Sequence, residues 1–151
     1  MQRSLVNEHV QNTIANFRID IQTKCKNECH TMKDAFEELR NEYCSETPRY
    51  VILERADVSK NAIRRASSDS HYKGLRELGC IRLALALGVK EMYDIDYLLN
   101  ARGFAGLSDC NREDYIRWRG AVEIVLKLHK EFEDDFLPED MVFTFKELFE
   151  V

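Results

Sequence analysis

The chain has 151 residues, 22 of them basic and 27 acidic, for a formal net charge of −5, and 44% are hydrophobic. A chain of this length buries roughly two thirds of its unfolded surface, so one core suffices without a metal or a disulfide. Its longest apolar run, LALALGV at residues 83–89, is far too short to cross a bilayer, which excludes a membrane span. Five cysteines and no secretory leader fit reduced thiols in a cytoplasmic protein.

Two prolines and six glycines among many Leu, Glu, Ala and Arg favour helices. Residues 4–24 place Leu5, Val6, Val10, Ile14, Phe17 and Ile21 at offsets of three and four, an amphipathic helix that Ser4 can cap. In residues 32–44 the side chains of Met32, Phe36, Leu39 and Tyr43 again share one helical face. SETP at 45–48 interrupts that helix. The residue before a proline is pushed out of the helical region, so Thr47 is expected as N-cap and Pro48 as the first residue of the next helix. That helix buries Val51, Ile52 and Leu53. Asp57 follows, a residue type that tolerates the left-handed conformation of a tight turn.

Ser59 is then a good N-cap for KNAIRRAS, anchored by Val58 and Ile63, and residues 67–74 form a polar connection. From Cys80 the segment CIRLALAL is apolar nearly all round, which predicts a central buried helix closed by Gly88 and makes Cys80 inert. DIDYLLNARGF predicts a short helix capped by Asp94 and stopped at Gly103. Asn111 and Asp114 open a long helix whose Tyr115, Trp118, Val122, Val125 and Phe132 share a face. On that helix His129 reads as a satisfied core or interface histidine. The acidic run Glu131, Glu133, Asp134 and Asp135 opposes the helix dipole and reads as a solvated end. Thr144 and Glu147 form a capping-box signature for a last short helix. With no strand alternation, repeat or low-complexity tract, the fold class is all-α.

Charge is unevenly placed. Residues 1–46 carry 6 basic and 8 acidic side chains, residues 47–90 carry 9 and 4, and residues 91–151 carry 7 and 15, giving −2, +5 and −8. The positive block coincides with the two short helices around Asp57, the arrangement of a helix-turn-helix. In such a pair one helix lies across the phosphate backbone and the next presents its N-terminal side chains to the major groove. With Ile63 turned inward, Lys60, Asn61 and Arg64 share the outer face of the second helix, and Arg65 completes its basic run. Arg pairs bidentately with guanine and Asn with adenine, while Ser59 and Lys60 suit phosphates, and Arg49 and Lys73 add phosphate contacts.

The block ADVSKNAIRR, then a polar loop, then IRLALALGV resembles the Cro and lambda-repressor type of helix-turn-helix. The following IDYLLNARGFAGLS is similar to a segment often found after that domain in short bacterial and phage regulators. The resemblance spans residues 34–118 by element order. It implies that Val58 and Ser59 begin the recognition helix, that Ile63 is its inward anchor, and that Ser59, Lys60, Asn61 and Arg64 face DNA. Three departures stand out. Asp57 replaces the turn glycine, Leu53 replaces a small alanine while Ala56 sits where a larger residue is usual, and the 67–74 loop is lengthened.

The expected architecture is a compact helical bundle. It comprises an N-terminal helical extension (1–30), a helix-turn-helix domain with its following short helix (31–108), and an acidic C-terminal helical segment (109–151). The expected function is a sequence-specific, double-stranded-DNA-binding transcriptional regulator, a repressor, that works as a homodimer without a cofactor. The dimer surface would be the long helix, through Trp118, Val125 and Phe132 if these are exposed, or the N-terminal helix. The rival is a protein-binding adaptor, antitoxin-like or a phage-encoded inhibitor, that docks a partner through its acidic C-terminal segment. A zinc site at Cys25 and Cys29, one helical turn apart with His30 and Cys44 nearby, stays as a third alternative but lacks any Cys-x-x-Cys knuckle. No Gly-rich phosphate loop, nucleophile elbow or metalloprotease motif is present, so no catalytic residue and no enzyme is expected.

Overall fold

Past Arg82 the segment 83–89 carries no polar side chain at all, and the chain folds around it. The structure, a computed structural model, describes residues 31–68, 72, 74–102 and 112–150. Among the described residues there are seven α-helices and no strand. They are α1 (Met32–Tyr43), α2 (Arg49–Arg55), α3 (Ala62–Ser68), α4 (Glu77–Leu87), α5 (Met92–Ala101), α6 (Arg112–Phe132) and α7 (Pro138–Phe145). The last runs on into a π-helical turn, Lys146–Glu150. The expected 4–24 helix and the residues Cys25, Cys29, His30, Lys73, Gly103 and Asn111 lie outside the described residues. No helix among those described is long and apolar enough to cross a membrane.

As expected, α4 is the central helix. Cys80, Ile81, Leu83, Ala84, Leu85, Ala86, Leu87 and Val89 are all buried, and α1, α2, α5 and α7 pack on it. Gly88 ends it with φ 81°, its N–H returned to the carbonyls of Ala84 and Leu85. A side chain there would be strained by the left-handed backbone and would meet Pro138 Cγ at 3.3 Å. Arg82, the one charge in the middle of α4, escapes the core by donating Nε to the carbonyl of Ala56 at 2.8 Å, which closes the end of α2.

The first turn of α1 is held by Thr31, whose hydroxyl accepts from Asp34 N (3.1 Å) and donates to Asp34 Oδ2 (2.7 Å). Of its expected apolar face, Met32, Phe36 and Leu39 are buried, joined by Ala35, while Tyr43 is only half-buried. Two phenol–carboxylate bonds join it to α5. Tyr97 donates to Glu38 at 2.6 Å, and Tyr43 donates to Asp94. Burial, reinforced by the Asp94 carboxylate, pushes the Tyr43 hydroxyl above its ordinary range. Asp94 is therefore not the cap of α5. The helix starts three residues earlier, after Glu91, and Asp94 is buried at its third position, where the phenol of Tyr43 claims the carboxylate.

Other helix ends shift for comparable reasons. Pro48, not Thr47, is the N-cap of α2, with φ −62° and ψ 147°, while the carbonyl of Thr47 accepts Arg40 Nε at 2.8 Å. At the C-terminus, Thr144 lies inside α7 rather than capping a separate helix. That helix starts at Pro138, and the Leu137 N–H is taken by Asp140 Oδ2 at 2.9 Å. The short turn before Pro138 folds α7 back onto α4 and α6, burying Met141, Val142 and Phe145. It also covers the long helix. Trp118 and Val125 are buried and only Phe132 of the anticipated trio is exposed, so that dimer patch does not exist. His129 bonds through Nδ1 to the carbonyl of Phe136 at 3.0 Å, satisfied as expected. Between α5 and α6 lies one buried ion pair, Arg119 Nη1 to Asp96 Oδ1 (3.0 Å) and Oδ2 (3.2 Å), flanked by the rings of Tyr115 and Trp118.

Candidate nucleic-acid interface

The basic block divides between structure and surface. Arg82 is spent on the α2 carboxyl end, and Arg55, half-buried, lies 3.7 Å from Glu139 and reaches the Ala86 carbonyl at 3.5 Å. Neither is free to meet a ligand. Arg76 and Lys90 lie on other faces, against Arg117 and Trp118 and against Glu123 and Lys127, and Arg49, Lys60, Arg64 and Arg65 lie on and around α2 and α3. In the turn between α2 and α3 Val58 N donates to Leu53 O (3.0 Å) and Asp57 adopts φ 55°, the left-handed conformation its residue type tolerates where glycine is otherwise favoured. The Asp57 carboxylate, pointing outward, takes Lys146 Nζ at 3.4 Å, so the C-terminal turn braces this corner.

After the turn, the Ser59 carbonyl accepts from Ala62 N at 3.0 Å and α3 begins at Ala62, later than a Ser59 side-chain cap would place it. Ala62, Ile63 and Ala66 face the core, while Ser59, Lys60, Asn61, Arg64 and Arg65 are exposed. Helix α3 is fixed to α1 by Ser67. Its hydroxyl donates to the Ile63 carbonyl at 2.8 Å and accepts from Lys33 N at 2.9 Å, a helix-start amide that has no partner within its own helix.

Between α1, α2 and α3 this packing leaves a groove of about 710 Å³. Phe36, Leu53 and Ile63 form its floor, and Lys33, Arg40, Arg49, Lys60 and Arg64 stand around it together with Tyr50, which is 65% exposed. Glu37 is the one acid in its wall. The carboxylate of Glu37 is shared, with Oε1 on Arg49 Nε and Oε2 3.3 Å from Arg40 Nη1. Lys33, Lys60, Arg64 and Arg65 have no carboxylate partner among the described residues. Five cations facing one carboxylate make the groove strongly positive, on a chain whose net charge is negative.

Of the residues expected from sequence, Arg49, Lys60 and Arg64 converge on the groove. Ser59, Asn61 and Arg65 are exposed beside it without lining it, and Lys73 lies outside the described residues. Sequence reasoning missed Lys33, Arg40 and Tyr50. Lys33, Glu37 and Arg40 recur at helical spacing on one face of α1, but nothing in the sequence indicates that this face abuts α3. Among the described residues, none of α5, α6 or α7 lines the groove.

Among the described residues the remaining titratable groups serve the fold. Burial pushes the Cys80 thiol up to about 12, and desolvation raises Cys44 as well, so neither is a ready nucleophile. The Asp96 carboxyl is pushed up to about 6 by burial, against the pull of Arg119, and serves the buried ion pair. Among the described residues no three potential metal ligands come together, and Cys25, Cys29 and His30 lie outside them. Comparison of the chain with family models, with curated proteins and with solved structures finds no match.

Proposed function

We propose that the chain is a sequence-specific, double-stranded-DNA-binding regulator of transcription, acting as a repressor, with α2 and α3 as a helix-turn-helix. The observation that carries this is the cationic groove between α1, α2 and α3, which opens beside the exposed Lys60, Asn61 and Arg64. In the proposed pose the start of α3 enters the major groove, with Arg64 and Asn61 at base edges, while Arg49 and Lys33 meet phosphates along one strand. A protein reading DNA this way works as a homodimer on two half-sites one helical turn apart, and occupancy of the operator excludes polymerase. The resemblance of residues 56–65 and 81–89 to the Cro and lambda-repressor type supports the same pose, as does the left-handed Asp57 at the position of that family's turn glycine.

Arg64→Ala should cost about 1–3 kcal/mol on the preferred duplex and relax base preference, whereas Arg49→Ala should weaken binding to all sequences alike. Anisotropy titrations on duplexes selected from a random pool, at two salt concentrations, distinguish these outcomes. Salt-independent or undetectable binding to every duplex would overturn the proposal. The second reading, a protein-binding adaptor, draws support from Phe143 and Leu148, which are exposed beside Glu147 on the C-terminal hairpin. It would prevail if Phe143→Ser abolished capture of a partner by a chain that binds no DNA.

A further inference from the structure

Resting on the DNA-binding reading above, we infer that Glu37 is a positioning residue that stands in for a phosphate in the free protein and yields Arg49 when DNA arrives. The inference begins with what a lone carboxylate does in a cationic groove. Glu37 is half-buried on α1, and its two oxygens are divided between two guanidiniums, Oε1 on Arg49 Nε and Oε2 at 3.3 Å from Arg40 Nη1. A phosphodiester presents two equivalent oxygens to arginines in the same manner. The two guanidiniums are not held equally. Arg40 is anchored a second time, by Nε to the Thr47 carbonyl at 2.8 Å, and its side chain is 19% exposed. The Arg49 side chain is 60% exposed, and Glu37 is its only ion-pair partner among the described residues.

The asymmetry decides which contact gives way. Exchanging Arg49 from carboxylate to phosphate swaps one charge-assisted bond for another, while Arg40 stays seated on Thr47 and keeps its Glu37 contact. In the free chain the carboxylate therefore holds Arg49 at the groove's edge, preorganised beside Lys60 and Arg64, and lowers the groove's appetite for indiscriminate polyanions. A backbone phosphate gains Arg49 only where the remaining contacts of α3 are good enough to offset the loss of Glu37. Glu37 thus raises selectivity at the expense of raw affinity.

Glu37→Gln keeps the shape and removes the charge. On a random duplex it should tighten binding roughly 5- to 10-fold at 0.1 M salt and steepen the slope of log K against log salt by about 0.9, the signature of one further phosphate contact. Arg49→Ala should weaken binding to every duplex modestly in the wild-type background, and in the Glu37→Gln background it should also erase that entire gain. A merely structural role for Glu37 would lower stability without moving the slope. If the wild type binds duplexes but Glu37→Gln leaves affinity and slope unchanged, this inference is overturned while the DNA-binding reading stands. If the wild type and Glu37→Gln both ignore DNA, both fall. Should Glu37→Gln fold poorly, the wild-type Arg49 Nε–H resonance decides independently. It should be protected from exchange in the free chain and shift on adding duplex, and an unshifted signal in a saturated complex would refute the inference.

Discussion

At the scale of single residues, the balance between burial and pairing is clearest at Asp96 and Arg119. Each is more than nine-tenths buried, and one guanidinium nitrogen serves both carboxylate oxygens, at 3.0 and 3.2 Å. Desolvation penalises the charged carboxylate more than Arg119 favours it, which lifts Asp96 from its ordinary 3.8 to about 6. The folded state then holds a proton that the unfolded state has already lost between those two values. Its contribution to stability is full below about pH 4 and falls away as pH rises through about 6. Carbon-13 NMR of the Asp96 carboxyl should show a midpoint near 6, and a midpoint at or below 3.8 would mean that the ion pair outweighs burial. Asp96→Asn should destabilise the chain by about 3–5 kcal/mol in chemical denaturation at pH 7, because it removes the carboxylate that offsets the buried Arg119 charge.

Between elements, what was legible in the sequence depended on whether the cue was local. The apolar run closed by Gly88 specified α4, and the three-four spacing of Met32, Phe36 and Leu39 specified α1, because a buried stripe at helical period admits few alternatives. The left-handed turn at Asp57 was equally local. Caps failed where a distant side chain won the competition, as when Tyr43 of α1 took the Asp94 carboxylate across 51 positions. The groove was half legible for the same reason. Its α2 and α3 residues lay in one basic block, whereas Lys33 and Arg40 joined them only through packing of α1 on α3. That packing turns on Ser67, which satisfies the otherwise orphaned Lys33 amide. Ser67→Ala should cost about 1 kcal/mol of stability, and the Lys33 amide should lose its protection in hydrogen exchange. Unchanged protection at Lys33 would show that α1 and α3 are held by apolar contact alone.

For the molecule as a whole, the sequence paired a positive module with a negative one, and the fold determines whether they interfere. Helix α7 inserts Met141, Val142 and Phe145 into the same core as α1 and α4, so the acidic third is a structural part of the bundle. Its surface charges are another matter. Glu131, Glu133, Asp134 and Asp135 are exposed around the end of α6, which packs chiefly on α5 and α7. Exposed charges that do not line a binding groove are screened by the solvent around them, and at 0.15 M salt little acts beyond about 8 Å. Replacing Glu133, Asp134 and Asp135 together by their amides should therefore change duplex affinity less than about twofold at 0.15 M salt, while a larger effect should emerge near 0.01 M, where the screening length reaches about 30 Å. A strong gain already at 0.15 M would mean that the acidic end lies against the groove in solution and competes with DNA for it. In that case the rival reading, in which the acidic segment is itself the docking element, would gain the ground that the DNA reading lost.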